Sequence, residues 1–222
     1  MHSIIKKGIS FIFVIFLSSC ASLPLGANLI NKAQNPAEKP GQLFFDDFSE
    51  TSSGWDRFQG EIGLTDYVKE TYRIQVNEPN TDLFATPGLF FKDVIIEVRA
   101  NRISGPLDNN FGVICRYQDE KNFYSAQISS DGYAGIFRMK NSVLKLLCHE
   151  SMLPVPAILG GASINSIYFE CIGSSFTLAV NGVPVDTCDD KSFKDGDIGL
   201  IAGTYKEGGT LVAFDDLRVI QP

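Results

Sequence analysis

Residues 166–183 read SIYFECIGSSFTLAVNGV. Within Ser166–Ile172, and again within Phe176–Val180, apolar side chains fall on every second residue, the period of a half-buried strand. The closing Val180-Asn181-Gly182-Val183 carries an Asn-Gly pair, which supplies the positive φ that a tight hairpin demands. Two short strands and such a turn make a piece of antiparallel sheet, and the pattern continues in both directions. Upstream it recurs in Tyr72–Val76, Val94–Ala100, Phe111–Tyr117, Tyr124–Ile128 and Gly135–Met139, and downstream in Ile198–Ala202 and Leu211–Val219. Ser130-Asp131-Gly132 is a second hairpin signal. Each segment is rich in Val, Ile, Phe and Tyr and is bounded by Gly, Asn, Asp or Pro. No window keeps helical spacing with caps. Residues 43–222 therefore read as one all-β domain, two antiparallel sheets packed as a sandwich.

The chain has 222 residues, 44% hydrophobic and 20% charged, a folded rather than a disordered composition. Its 19 Lys and Arg stand against 26 Asp and Glu, a net charge of −7. So acidic a chain, without a basic cluster in its sequence, is not built to hold a phosphate backbone, which excludes nucleic acid. Of the two histidines, His2 lies in the segment removed below. His149 alone makes neither a His-rich zinc site nor a His-paired nucleophile, and reads as a structural or surface residue.

Residues 1–19 are an export signal: Lys6 and Lys7, then the apolar run Ile9 to Leu17, then small residues. The run falls short of the roughly 20 residues that cross a bilayer. Leu17-Ser18-Ser19-Cys20 resembles the lipobox of bacterial lipoproteins, whose cysteine receives a diacylglyceryl thioether and becomes the new N-terminus on cleavage. The expectation is a protein of the cell envelope, outside the cytoplasm, anchored to a membrane by lipid on Cys20. Losing residues 1–19 removes two lysines and no acid, so the mature chain carries −9. Residues 20–42, with three prolines and no lasting periodicity beyond a short helix considered at 27–32, form the lipidated tether.

Several motifs point to a family. Phe44-Phe45-Asp46-Asp47-Phe48-Ser49 with Gly54-Trp55 resembles the opening of bacterial concanavalin A-like lectin/glucanase domains. Gly112–Asp119, Asn122-Phe123-Tyr124 and Asp131-Gly132-Tyr133 resemble their middle. Asn165–Gly173, Leu178–Gly182, Gly196–Leu200 and Phe214-Asp215-Asp216 resemble their end. The resemblance covers almost all of 43–220 and extends to laminin-G-like modules and to the 3-keto-disaccharide hydrolase domain group. It implies a jelly-roll sandwich with one concave face.

Four cysteines follow the lipidation site, an even number that favours disulfides in an exported chain. Cys115 and Cys171 sit mid-strand, while Cys148 and Cys188 lie near strand ends. Pairing like with like gives Cys115–Cys171 and Cys148–Cys188.

Catalytic sets are missing from the sequence. A retaining glycosidase of this fold carries Glu-x-Asp-x-x-Glu on one strand, and here the strand acids Glu97 and Glu170 are isolated. Gly-x-Ser-x-Gly is absent as well. The reading is a non-catalytic glycan-binding or surface-interaction module for a polysaccharide or an envelope protein; the alternatives are a glycoside-active enzyme of the 3-keto-disaccharide hydrolase-like group and a structural envelope protein. Sugar sites combine aromatic platforms with polar side chains. The candidates are Trp55, Arg116, Gln118, Phe123, Gln127 and Tyr133, with Arg116 and Gln118 on the strand face opposite Cys115. Finally, a structural Ca²⁺ is expected where the two chain ends pair, between Asp47 and Asp215 of the matching Phe-Asp-Asp motifs.

Overall fold

The computed structural model describes residues 41–222. The export signal, Cys20, the segment 27–32 and the tether up to residue 40 lie outside the described residues.

Strands β1 (Gln42–Asp46), β2 (Phe58–Gly60), β3 (Gly63–Tyr67), β4 (Tyr72–Val76) and β5 (Asp82–Ala85) come first. The long strands β6 (Val94–Ser104) and β7 (Asn109–Asp119) lead into β8 (Asn122–Ile128), β9 (Tyr133–Lys140), β10 (Val143–Leu146) and β11 (Leu153–Pro154). β12 (Asn165–Ile172), β13 (Ser175–Val180), β14 (Val183–Asp189), β15 (Asp197–Thr204) and β16 (Thr210–Ile220) complete the chain. There is no helix among the described residues.

One sheet runs β14-β13-β12-β6-β16-β4-β3-β2, and the other β10-β9-β8-β7-β15-β5, with β11 beside β9. β16 pairs with β6 along one edge and serves two partners along the other: Thr210–Phe214 pairs with β4, and Leu217–Ile220 with β1, so the first and last strands meet as expected. All the ladders are antiparallel. The Asn181-Gly182 turn has φ of 51° and 77°, the two positive values a type I′ hairpin needs. Residues Lys39–Pro222 cluster as a compact unit of their own, and every ladder named here closes within it.

Between the sheets, Ile96, Val98, Ile167, Phe169, Phe176 and Phe214 face Phe111, Val113, Tyr124, Ala126, Ile198 and Leu200, all essentially inaccessible. Cys115 of β7 is bonded to Cys171 of β12 across this core, and Cys148, just past the edge strand β10, to Cys188 on the opposing edge strand β14. Disulfides persist in oxidising compartments, which puts the folded domain outside the cytoplasm.

The outward expectation for Trp55 is corrected. Trp55 is buried with Phe48 and Tyr72, at ring distances of 5.6 and 5.4 Å, and its indole N–H donates to Asp46 Oδ2 at 2.9 Å. It closes one end of the core and offers no platform.

Candidate functional site

Alternation decides what the seven-stranded sheet shows on its outer face. Phe111, Val113, Tyr124, Ala126, Leu200 and Ala202 point into the sandwich, so Asn110, Gly112, Ser125, Gln127, Ile201 and Gly203 point away from it. Register then aligns residues distant in sequence: Gly203 of β15 lies between Asp82 of β5 and Asn110 of β7. Asn110 Nδ2 donates to Asp82 Oδ1 at 2.9 Å and to Gln127 Oε1 at 2.8 Å, while Gln127 Nε2 donates to Ser125 Oγ at 2.8 Å. A side chain at Gly203 would collide with both Asp82 and Asn110, so glycine leaves this pair its room. Asn110 is 3% exposed, and its Oδ1 has no partner among the described residues. Desolvation pushes the Asp82 carboxyl above the usual carboxylate range, with the Asn110 donor partly opposing it.

Just beyond, at the Thr204 end of β15, lies a cleft of about 410 Å³. Tyr133 and Tyr205 line it, both with much of their side chains exposed, together with Asp108, Asp131, Ser129 and Lys206. The turn beneath is pinned by Asn109, whose Oδ1 accepts from Ser130 N at 3.1 Å and whose Nδ2 donates to Ser130 Oγ at 3.0 Å. Burial pushes the Tyr205 hydroxyl up to about 12, and the nearby charges of Asp82, Asp108 and Asp131 add to the shift. Two of these carboxylates, Asp108 and Asp131, share the cleft with the phenol.

Of the six residues read from sequence, Tyr133 lines this cleft, and Gln127 bonds Asn110 on the outer face of the same sheet. Phe123 lies on the same face but farther along, buried with Ile114 and Ile201 and stacked on Tyr117 with ring centroids 6.0 Å apart. Arg116 and Gln118 stand at the other end of β7. The placement expected for Arg116 is corrected. A bulge between Cys115 and Asp119 breaks the alternation, Arg116 takes φ 51°, and its guanidinium is 2% exposed, bonded to the carbonyls of Lys92 and Phe193. Gln118 donates to the Asp195 carbonyl.

At the paired chain ends, Asp47 Oδ1 accepts from Ser49 N and Oγ at 3.1 and 2.6 Å, and Asp215 accepts from Asp216 N at 2.8 Å. Asp47 adds slightly to the forces raising the Asp215 carboxyl, of which desolvation is the largest. Ca²⁺ wants 6–8 oxygen ligands. No group of three or more His, Cys, Asp or Glu that could hold a metal ion occurs among the described residues.

No family model and no curated protein sequence matches the chain. Solved structures do. A carbohydrate-binding module of type CBM66 from Bacillus subtilis superposes with a TM-score of 0.63 at 18% identity, covering 76% of this chain and 96% of that one. The β-glucanase of Bacillus licheniformis gives 0.59 at 12% identity, over 83% and 100%. The fold is the concanavalin A-like jelly roll. A Bacillus subtilis protein with a galectin-like fold gives the same 0.59 at 12% identity, over 83% and 97%. At these identities the likeness is one of jelly-roll architecture.

Proposed function

We propose that the domain is a non-catalytic glycan-binding module, exported and carried in the cell envelope on a lipid anchor at Cys20. The observation that carries this reading is the cleft itself, in which two exposed tyrosines, Tyr133 and Tyr205, stand beside Asp108, Asp131 and Ser129. Tyr133 and Tyr205 offer ring faces for the C–H faces of a sugar, and Asp108 and Asp131 offer acceptors for its hydroxyls. A carbohydrate-binding module among the structures of the same fold is consistent with this use.

A glycan array should show binding to a polysaccharide, weakened roughly tenfold by Tyr133→Ala or Tyr205→Ala. Asp82→Asn should weaken binding and yet stabilise the fold. The Asp82 carboxyl is raised in the folded state, so its ionised form opposes folding; that penalty is absent below about pH 4 and complete above the raised value. Asp82 is solvent-exposed, which screens most of this penalty, so Asp82→Asn should melt only slightly higher than the parent at neutral pH and lose that advantage in acid. Binding unchanged in all three variants rejects the cleft. Labelled palmitate should enter the protein and fail to enter Cys20→Ala; incorporation that survives the substitution rejects the anchor.

Two carboxylates, Asp108 and Asp131, in one cleft with Tyr205 favour a glycoside-active enzyme as the second reading. Turnover of an oligosaccharide panel, lost in Asp131→Asn, would replace the first reading with this one.

A further inference from the structure

β7, with its 11 residues, runs away from the tyrosine cleft for about 35 Å at ~3.3 Å per residue, and the 8-residue β15 lies beside it for about 26 Å. At their far end, where the chain enters the domain at Gly41, two clefts share a wall at Lys92 and Asp93. One, of about 660 Å³, has an apolar side of Leu43, Phe90, Phe91 and Ile172 and a polar side of Lys92, Asp93 and Gln221. The other, of about 380 Å³, brings together Lys92, Lys191 and Lys194 beside Ser174.

Phe90 is 73% exposed and Leu43 47%. Single exposed apolar residues are ordinary, but Phe90 is held out by a braced loop. Gly88 N and Leu89 N donate to Asp197 at 2.8 and 3.0 Å, and Phe91 exchanges two backbone hydrogen bonds with Gly196. The ordering entropy of that loop is spent before any partner arrives.

None of the three lysines enters an ion pair among the described residues. The acids of this end are largely engaged. Asp93 accepts from Arg116 and from Gly173 N, Asp190 pairs with Arg138 at 2.6 Å, Asp119 binds its own turn, and Glu120 faces Lys121. Asp189 is exposed. In a chain of negative net charge, unpaired lysines therefore gather at the tether end, while Asp82, Asp108 and Asp131 stand at the other.

We propose that the tether end is a membrane-docking surface: the lysine cleft takes the phosphates of anionic lipid headgroups while Phe90 and Leu43 enter the interface. The occupant follows from where the chain leads. The tether from Cys20 leads into the first strand just before Leu43, so a lipid-anchored chain keeps this end within about 25 Å of a bilayer, nearer than the tyrosine cleft. The proposal rests on that anchor for the domain's place at the membrane, but not for the affinity of the surface. Docked in this way, the module lies lysine end down and presents the tyrosine cleft outward.

Residues 39–222 form a compact unit and lack Cys20, so they test the surface without the anchor. Cosedimentation is measured with vesicles of phosphatidylcholine alone and of phosphatidylcholine mixed with phosphatidylglycerol. Binding is expected to the mixed vesicles only, to fall with added salt, and to drop roughly fivefold for each lysine changed to alanine. Phe90→Ser should weaken binding at every salt concentration, and near-ultraviolet circular dichroism checks that each variant is folded. No binding to the mixed vesicles, or equal binding after Lys92→Ala, Lys191→Ala and Lys194→Ala together, overturns the proposal. So does stabilisation by inorganic phosphate without vesicle binding, which would make the cleft a site for a free phosphate. A failed palmitate label leaves this result standing, and failed vesicle binding leaves the anchor and the glycan cleft standing.

Discussion

Arg116→Ala is expected to destabilise the domain by about 3–4 kcal/mol while leaving glycan affinity unchanged. The guanidinium is the most buried charge on the seven-stranded sheet's far end, at 2% exposure. Nη1 donates to the Phe193 carbonyl at 2.9 Å, Nε to the Lys92 carbonyl at 3.3 Å and Nη2 to Asp93 Oδ1 at 3.2 Å. Its Cζ stands 5.2 Å from the centre of the Phe176 ring. Desolvation pulls the group below its ordinary pKa, with Asp93 opposing that shift. Removing it strands two carbonyls and half-strands a carboxylate. At ~2–4 °C per kcal/mol for a domain of this size, Tm should fall by roughly 6–16 °C. Arg116→Lys keeps the charge but loses the planar fork that serves three acceptors, so it should recover less than half of the loss. A ligand-binding arginine behaves in the opposite way: binding falls and Tm stays. Thermal melts and glycan titrations on the same variants separate the two roles.

The displacement of Arg116 shows where a sequence stops being legible. Strict alternation along VICRY puts Arg116 on the face opposite Cys115, and a single bulge reverses it, because one extra residue exchanges every side for the other. Nothing local marks the bulge. The strands that alternation and turn chemistry define, such as β4, β12 and β13, stand where they are expected, because their signal is local. The strands that went unread are short or carry weak patterns. β2 is a three-residue, fully exposed edge, β14 contains Pro184, and β5 begins on an aspartate. Losing β5 had a functional cost. Its Asp82 meets Asn110 and Gln127 only through the register of β5, β15, β7 and β8, so three of the site's polar residues come together from positions 82, 110 and 127. The lysine end is hidden for the same reason, since Lys92 is a hundred residues from Lys191 and Lys194 in sequence. Tyr133 was within reach because it follows a recognisable Asp-Gly turn.

Removing the Cys115–Cys171 bond as Cys115→Ala/Cys171→Ala should cost about 4–5 kcal/mol, and the equivalent change at Cys148 and Cys188 about 2–4 kcal/mol. Chain entropy alone does not separate them: with separations of 56 and 40 residues, loop closure gives each bond about 4 kcal/mol. Surroundings do. Cys115 and Cys171 are fully buried between the sheets, so their sulfurs also fill core volume, and alanines leave a cavity that Phe176 and Tyr124 cannot fill without leaving their places. Cys148 is exposed past the edge strand β10, where surface loops can relax, while Cys188 is 2% exposed on β14. Access therefore divides the two bonds at Cys148. A thiolate must reach the sulfur it attacks, so mild reductant should open Cys148–Cys188 through Cys148 in the folded protein while Cys115–Cys171 waits for global unfolding. Alkylation under reductant and peptide mapping should show label first on Cys148, then on Cys188, with the melting transition still cooperative. At ~2–4 °C per kcal/mol, full reduction should lower Tm by well over 10 °C. Simultaneous labelling of all four cysteines below the transition would mean that the core bond is not held by the packing of the two sheets.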